Sequence, residues 1–148
     1  MKRTILFICL AFIAFAVIML GINANKDTRG DASSQFKKDF GLDIDKNSIK
    51  TEELFNNYSG PPYEGVAMYR ITVDQKSERE FRKWKKLPLS AKADRFLTSV
   101  SPYVRIPEIS HGYWKLIDRN PGTKEYTNVS FAVYDADEKL AYMITMDS

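Results

Sequence analysis

The chain has 148 residues, 44% of them hydrophobic and 13% aromatic, with a formal net charge of +3, one Cys and one His. That composition excludes a disordered tail, a disulfide-stapled miniprotein and a string of several domains. Without residues 1–24 the chain keeps 20 basic and 19 acidic residues, so no basic field points to nucleic acid as a partner.

Lys2 and Arg3 precede eighteen apolar residues, Ile5 to Ile22, that contain no charge. As a helix this run extends roughly 27 Å, close to the hydrocarbon thickness of a bilayer. It also lacks the polar stripe that a helix in a soluble core shows. It is expected to enter the membrane through residues 5–22, as a transmembrane helix or a signal peptide. A cleavable signal has an apolar stretch of about 7–15 residues and small residues at the cut. This run is longer, and bulky Ile22 stands where a small residue is preferred before a cut after Ala24. A retained anchor is therefore favoured, with cleavage after Ala24 and secretion as the alternative. Cys9 lies within the run and not just behind it, which excludes a lipid-modified cysteine. The four-residue head stays inside easily and a long domain translocates largely regardless of charge, so the C-terminal part is expected outside the cytoplasm.

Residues 25–34, NKDTRGDASS, read as a polar linker between the segment 1–24 and a domain 35–148. The domain carries 16 aromatic residues, enough large rings to close one core without staples. Ser33 or Ser34 is placed to cap a short helix ending at Gly41, with Phe36 and Phe40 four apart on one face. KTEELFNNY fits a strand or a helical turn, Gly60-Pro61-Pro62 breaks any regular element, and Gly65 to Asp74 reads as a strand. Ser77 and Glu80 have the spacing of a capping box, opening a helix that runs toward Lys83, Lys85 and Lys86 and stops at Pro88. Ser90 opens a second helix with Ala93, Phe96, Leu97 and Val100 at helical spacing. GYWKLIDR, NVSFAVYD and KLAYMITMD read as three strands, the last two joined by a turn at Asp135 to Glu138. In the middle one Val129, Phe131 and Val133 alternate with Asn128, Ser130 and Ala132, as in a half-buried strand. This order predicts an α+β domain, a mainly antiparallel sheet with two or three short helices on one face.

The stretch HGYWKLIDRN…NVSFAVYDADEKLAYMITMD, residues 111–147, resembles the C-terminal part of small exported or membrane-anchored proteins of Gram-positive bacteria. In those, a Gly-Tyr-aromatic strand with an Asp-Arg end precedes a Phe-x-x-Tyr-Asp hairpin and a final Asp. The resemblance spans about a quarter of the chain and implies the same fold and an exported location. It brings no activity or site residue with it.

Chemistry is sparse. There is no P-loop, no GxGxxG and no GxSxG elbow, so no cofactor and no catalytic residue is expected. Asp43, Asp45 and Asn47 copy three positions of a calcium loop, but Ser48 replaces its Gly and Leu54 its bidentate Glu, so a polar Asx turn is expected and no metal site. His111 has no Cys in the domain to complete a zinc site. The basic run Arg79 to Lys86 presents Phe81 and Trp84 three apart; the rings are expected to anchor the element to the sheet, with a lie on anionic headgroups as the alternative. The candidate binding residues are Tyr58 and Tyr63, which flank a stiff Ser-Gly-Pro-Pro loop, together with His111, Tyr113 and Trp114. Phenol and indole combine an apolar body with a polar tip, which suits recognition surfaces. On a strand, Tyr113 and Trp114 point to opposite faces, so one is expected in the core. The sequence therefore suggests a non-catalytic interaction or accessory module, of which an immunity-type protein is one form, with an unidentified protein or envelope partner. A secreted binding domain for a small molecule or envelope glycan, and a hydrolase relying on His111, are the alternatives.

Overall fold

The computed structural model describes residues 32–60, 64–123 and 125–148, all within the compact unit Asp31–Ser148. The apolar run 5–22, Cys9, the cut position at Ala24 and the linker up to Asp31 lie outside the described residues, as does Tyr63. Among the described residues no helix is long and apolar enough to cross a membrane.

Helix α1 (Ala32–Phe40) buries Phe36 and Phe40 from one face, their ring centroids 5.3 Å apart. Ser33 and Ser34 sit inside its first turn and do not precede it, and Ser33 is buried, its hydroxyl 3.4 Å from that of Thr51. Gly41 ends the helix at φ 63°, a conformation in which a Cβ is strained, and the Leu42 amide then donates to the Lys37 carbonyl at 3.0 Å. This closure turns Leu42 and Ile44 into the core. Asp45 caps a 3-10 turn at Lys46–Ser48 by accepting from the Asn47 amide at 2.7 Å, the expected Asx turn.

Strand β1 (Ile49–Asn56) pairs antiparallel with β2 (Gly65–Val73), from Ile49 opposite Val73 to Asn56 opposite Ala67. The expected helix behind the capping box is one turn, α2 (Glu78–Phe81). The Ser77 side chain makes no cap bond there, and Glu80 pairs with Lys83 Nζ instead, at 2.6 Å. A longer helix would stack Arg79 on Lys83 and Arg82 on Lys86 as repelling i,i+4 pairs. The chain turns at Arg82–Trp84 and enters a two-residue strand, β3 (Lys85–Lys86). That turn brings Trp84 against Phe81, Phe40 and Phe36, at centroid distances of 5.0, 5.4 and 6.3 Å. The two rings therefore do anchor the element to the sheet.

Helix α3 (Ala91–Val100) is capped as expected, Ser90 Oγ accepting from the Ala93 amide at 3.3 Å. It buries Ala93, Phe96 and Val100. Strands β4 (Gly112–Asp118), β5 (Asn128–Asp135) and β6 (Leu140–Asp147) complete the sheet. Its order is β1-β2-β6-β5-β4-β3 with every neighbouring pair antiparallel. At the β5–β6 hairpin Asp135 Oδ1 accepts from the amides of Asp137 and Glu138, at 2.9 and 3.1 Å.

The fold class is the expected α+β, but the helices do not share one face of the sheet. On the first face α1, α2 and Trp84 cover Ile71, Ala132, Tyr134, Ala141 and Met143. On the second, α3 and the irregular segment behind it cover Met68, Trp114, Val129, Phe131, Val133 and Ile144. Strand β5 is thus buried on both sides, where the alternation suggested one. Ser130 and Ala132 are small because the large rings of α1 and α2 occupy the space above the first face. Ser130 is satisfied in place: its hydroxyl donates to Asp39 Oδ2 at 2.8 Å and accepts from Arg119 Nη1 at 3.1 Å. Arg119 Nη2 closes the set on Asp39 Oδ1 at 2.8 Å, and Lys115 Nζ donates to the Phe40 carbonyl at 2.8 Å. These bonds lock α1 to β4 and β5.

Candidate interaction groove

The residues singled out in the sequence do not meet at one place. Trp114 is buried on the second face, its Nε1 donating to the Pro88 carbonyl at 3.3 Å and Lys85 Nζ lying 5.2 Å from its ring centroid. Tyr113 points the other way and packs, half-buried, against the first-face cluster. The expected opposition of the two side chains is present, but there is a core on both sides to receive them. Tyr58 is held at the far end of the sheet, its hydroxyl 3.3 Å from Thr145 Oγ1 and 3.2 Å from Asp147 Oδ2. Gly65 permits that approach, since a Cβ there would lie 2.8 Å from Tyr58 Cα. His111 is at the opposite end: its carbonyl accepts from Ala136 just before β6 begins, and its Nδ1 lies 2.9 Å from Asp137 Oδ2. The length of β6, about 24 Å, separates it from Tyr58. The His111–Asp137 pair is open to water, 72% and 60% exposed.

A different site appears at the β1 edge. Glu53 faces Tyr69 and Phe55 faces Met68, so Leu54 is an extra residue without a partner in the ladder. Such a bulge re-aims side chains, and both Leu54 and Phe55 line a groove of about 390 Å³ on the second face. Its floor is Met68 and Tyr142, and its far wall is the segment behind α3, with Tyr103, Val104 and Pro107. The Phe55 and Tyr103 rings are 6.5 Å apart across it. Leu54 is 44% and Tyr103 53% exposed, the large hydrophobic side chains left in water among the described residues. Pro107 also borders a smaller apolar crevice, about 140 Å³, over Phe131 and Val133.

The charged groups at this groove are Arg70 and Arg105, and no carboxylate lines it. Arg70 is engaged, its Nε donating to Glu52 Oε2 at 3.0 Å. Glu53 accepts from Asn56 Nδ2 at 3.0 Å. Arg105 is exposed and has no carboxylate at ion-pair distance among the described residues. The Arg105 guanidinium only donates, and a phenol such as that of Tyr103 can donate or accept. The arrangement can hold an apolar group beside a carboxylate or carbonyl oxygen. It holds no paired acid and base. The groove was not foreseen. Its one signal in the sequence is the adjacent Leu54-Phe55, which breaks the alternation of KTEELFNN.

Comparison with protein-family models, with curated proteins and with solved structures yields no match.

Proposed function

We propose that the chain is a non-catalytic interaction module, held at the outer face of the cell membrane through residues 5–22 and engaging a protein partner with the domain that follows. The observation that carries the interaction role is the groove: Leu54 and Tyr103 are both exposed and both line it. Isolated apolar residues on a surface are ordinary, whereas two large ones meeting over a concave apolar floor mark a recognition site. The membrane location rests on the uninterrupted apolar run and the basic pair before it. Intact mass of the membrane-bound protein decides between a retained anchor and a cut after Ala24.

The test of the interaction is site-specific photocrosslinking in native membranes. A benzophenone amino acid at Tyr103 is expected to give a discrete crosslinked species, while one at exposed Lys139, on the β5–β6 turn, gives none. Equal labelling from both positions, or none from Tyr103, overturns the proposal.

A further inference from the structure

We infer that the occupant of the groove is an extended segment of the partner protein that adds as a seventh strand along Ile49–Glu53, with an apolar side chain between Leu54 and Tyr103 and a carboxylate on Arg105. The inference rests on the interaction role proposed above and specifies its chemistry.

Three observations converge on it. Among the described residues strand β1 is an edge with a strand on one side only, and its pairing is regular from Ile49 to Glu53. An extended peptide satisfies the open amides and carbonyls of such an edge and leaves its alternate side chains to a neighbouring pocket. The bulge at Leu54 then ends the regular stretch and turns Leu54 and Phe55 into the groove, beside the path of the added strand. Charge selects among peptides. Glu52 and Glu53 already accept from Arg70 and Asn56, so the uncommitted charge at the groove is the Arg105 guanidinium. A carboxylate on the segment answers it and a cation is repelled. Nothing in the lining offers a carboxylate to a basic ligand.

The experiment uses the full chain in phospholipid nanodiscs and three fluorescein-labelled peptides of eight residues. All alternate valine with threonine, and they carry two central aspartates, two lysines or neither. Fluorescence anisotropy is expected to rank the aspartate peptide about tenfold tighter than the lysine peptide. Arg105→Glu is expected to reverse that order, and Leu54→Asp to weaken all three, with Tyr103→Ala as a second groove variant. Methylating alternate amides of the aspartate peptide removes strand pairing and is expected to abolish its binding. Absence of binding by all three peptides, an order unchanged by Arg105→Glu, or full affinity after methylation overturns the inference. A crosslink from Tyr103 in membranes together with peptide failure rejects this occupant and leaves the interaction role standing. Peptide binding with no crosslink in membranes supports the strand site and rejects the role.

Discussion

The two faces of the sheet are sealed in different ways. On the first, Phe36, Phe40, Phe81, Trp84 and Tyr134 form a continuous ring cluster, with Phe81 stacked on Tyr134 at 4.5 Å. A polar lock from Asp39 to Arg119 and Ser130 closes over it. On the second, one helix covers part of the sheet and the rest is roofed by irregular chain from Ser101 to His111. That roof ends short of β1, and the uncovered margin is the groove. The loop roof leaves this apolar margin beside β1, and loops are where binding residues collect. The first face stabilises the domain and the second leaves a surface to use.

Substitutions separate the two. Phe81→Ala empties the middle of the ring cluster and is expected to cost about 3–5 kcal/mol in urea unfolding, the range for deleting a fully buried ring. Trp84 and Trp114 report from opposite faces, so their fluorescence shows whether the first face loosens before the second. Coincident transitions would deny the faces independent stability. Asp39→Asn weakens the lock and leaves Arg119, 34% exposed, without its carboxylate; about 2 kcal/mol is expected, less than for a fully buried pair because water reaches the guanidinium.

Alkaline pH probes the first face without mutation. Burial first, then the carboxylate of Glu78, push the Tyr134 phenol up to about 12 from an ordinary 10.0. The native state keeps this proton after the unfolded chain has released it, so its stabilising contribution is whole below pH 10 and is lost as pH rises through about 12. Absorbance at the phenolate band is expected to show Tyr134 titrating late, and Tyr134→Phe to flatten the alkaline fall in stability. At the groove the expected effect on stability is smallest. Tyr103→Ala and Leu54→Ser change exposed side chains and should stay within about 0.5 kcal/mol of the parent, while removing the proposed interaction. A large loss of stability from either would make the groove part of the fold and not a surface set aside.

Helix α3, strands β2, β4, β5 and β6 and the turn at Asp135 were legible because each carries its own local chemistry, such as the Ser90 cap and the alternation of Val129, Phe131 and Val133. What escaped depends on neighbours distant in the chain. Ser130 and Ala132 look like a solvent side until the rings of α1 and α2 are placed above them. The Ser77–Glu80 spacing promises a helix that like-charge stacking and the packing of Trp84 on Phe81 cut to one turn. At the site, the facing-apart of Tyr113 and Trp114 followed from strand geometry alone. The groove did not, because it needs a bulge in β1 and a loop whose Tyr103 lies 49 residues beyond Leu54 in the chain. The proposed membrane location rests on the apolar run of residues 5–22 as it stands in the sequence.

Strand β6, the last of the described strands, lies in the middle of the sheet, joining β2 on one side to β5 on the other. Until it emerges from the ribosome, β1 with β2 and β5 with β4 are two hairpins with no seam between them. Its pairing with β2 reaches from Leu140 back to Thr72, a long loop to close before any contact rewards it. The two halves of the sheet can therefore be joined only once β6 has been made, and one strand laid in late closes both seams together.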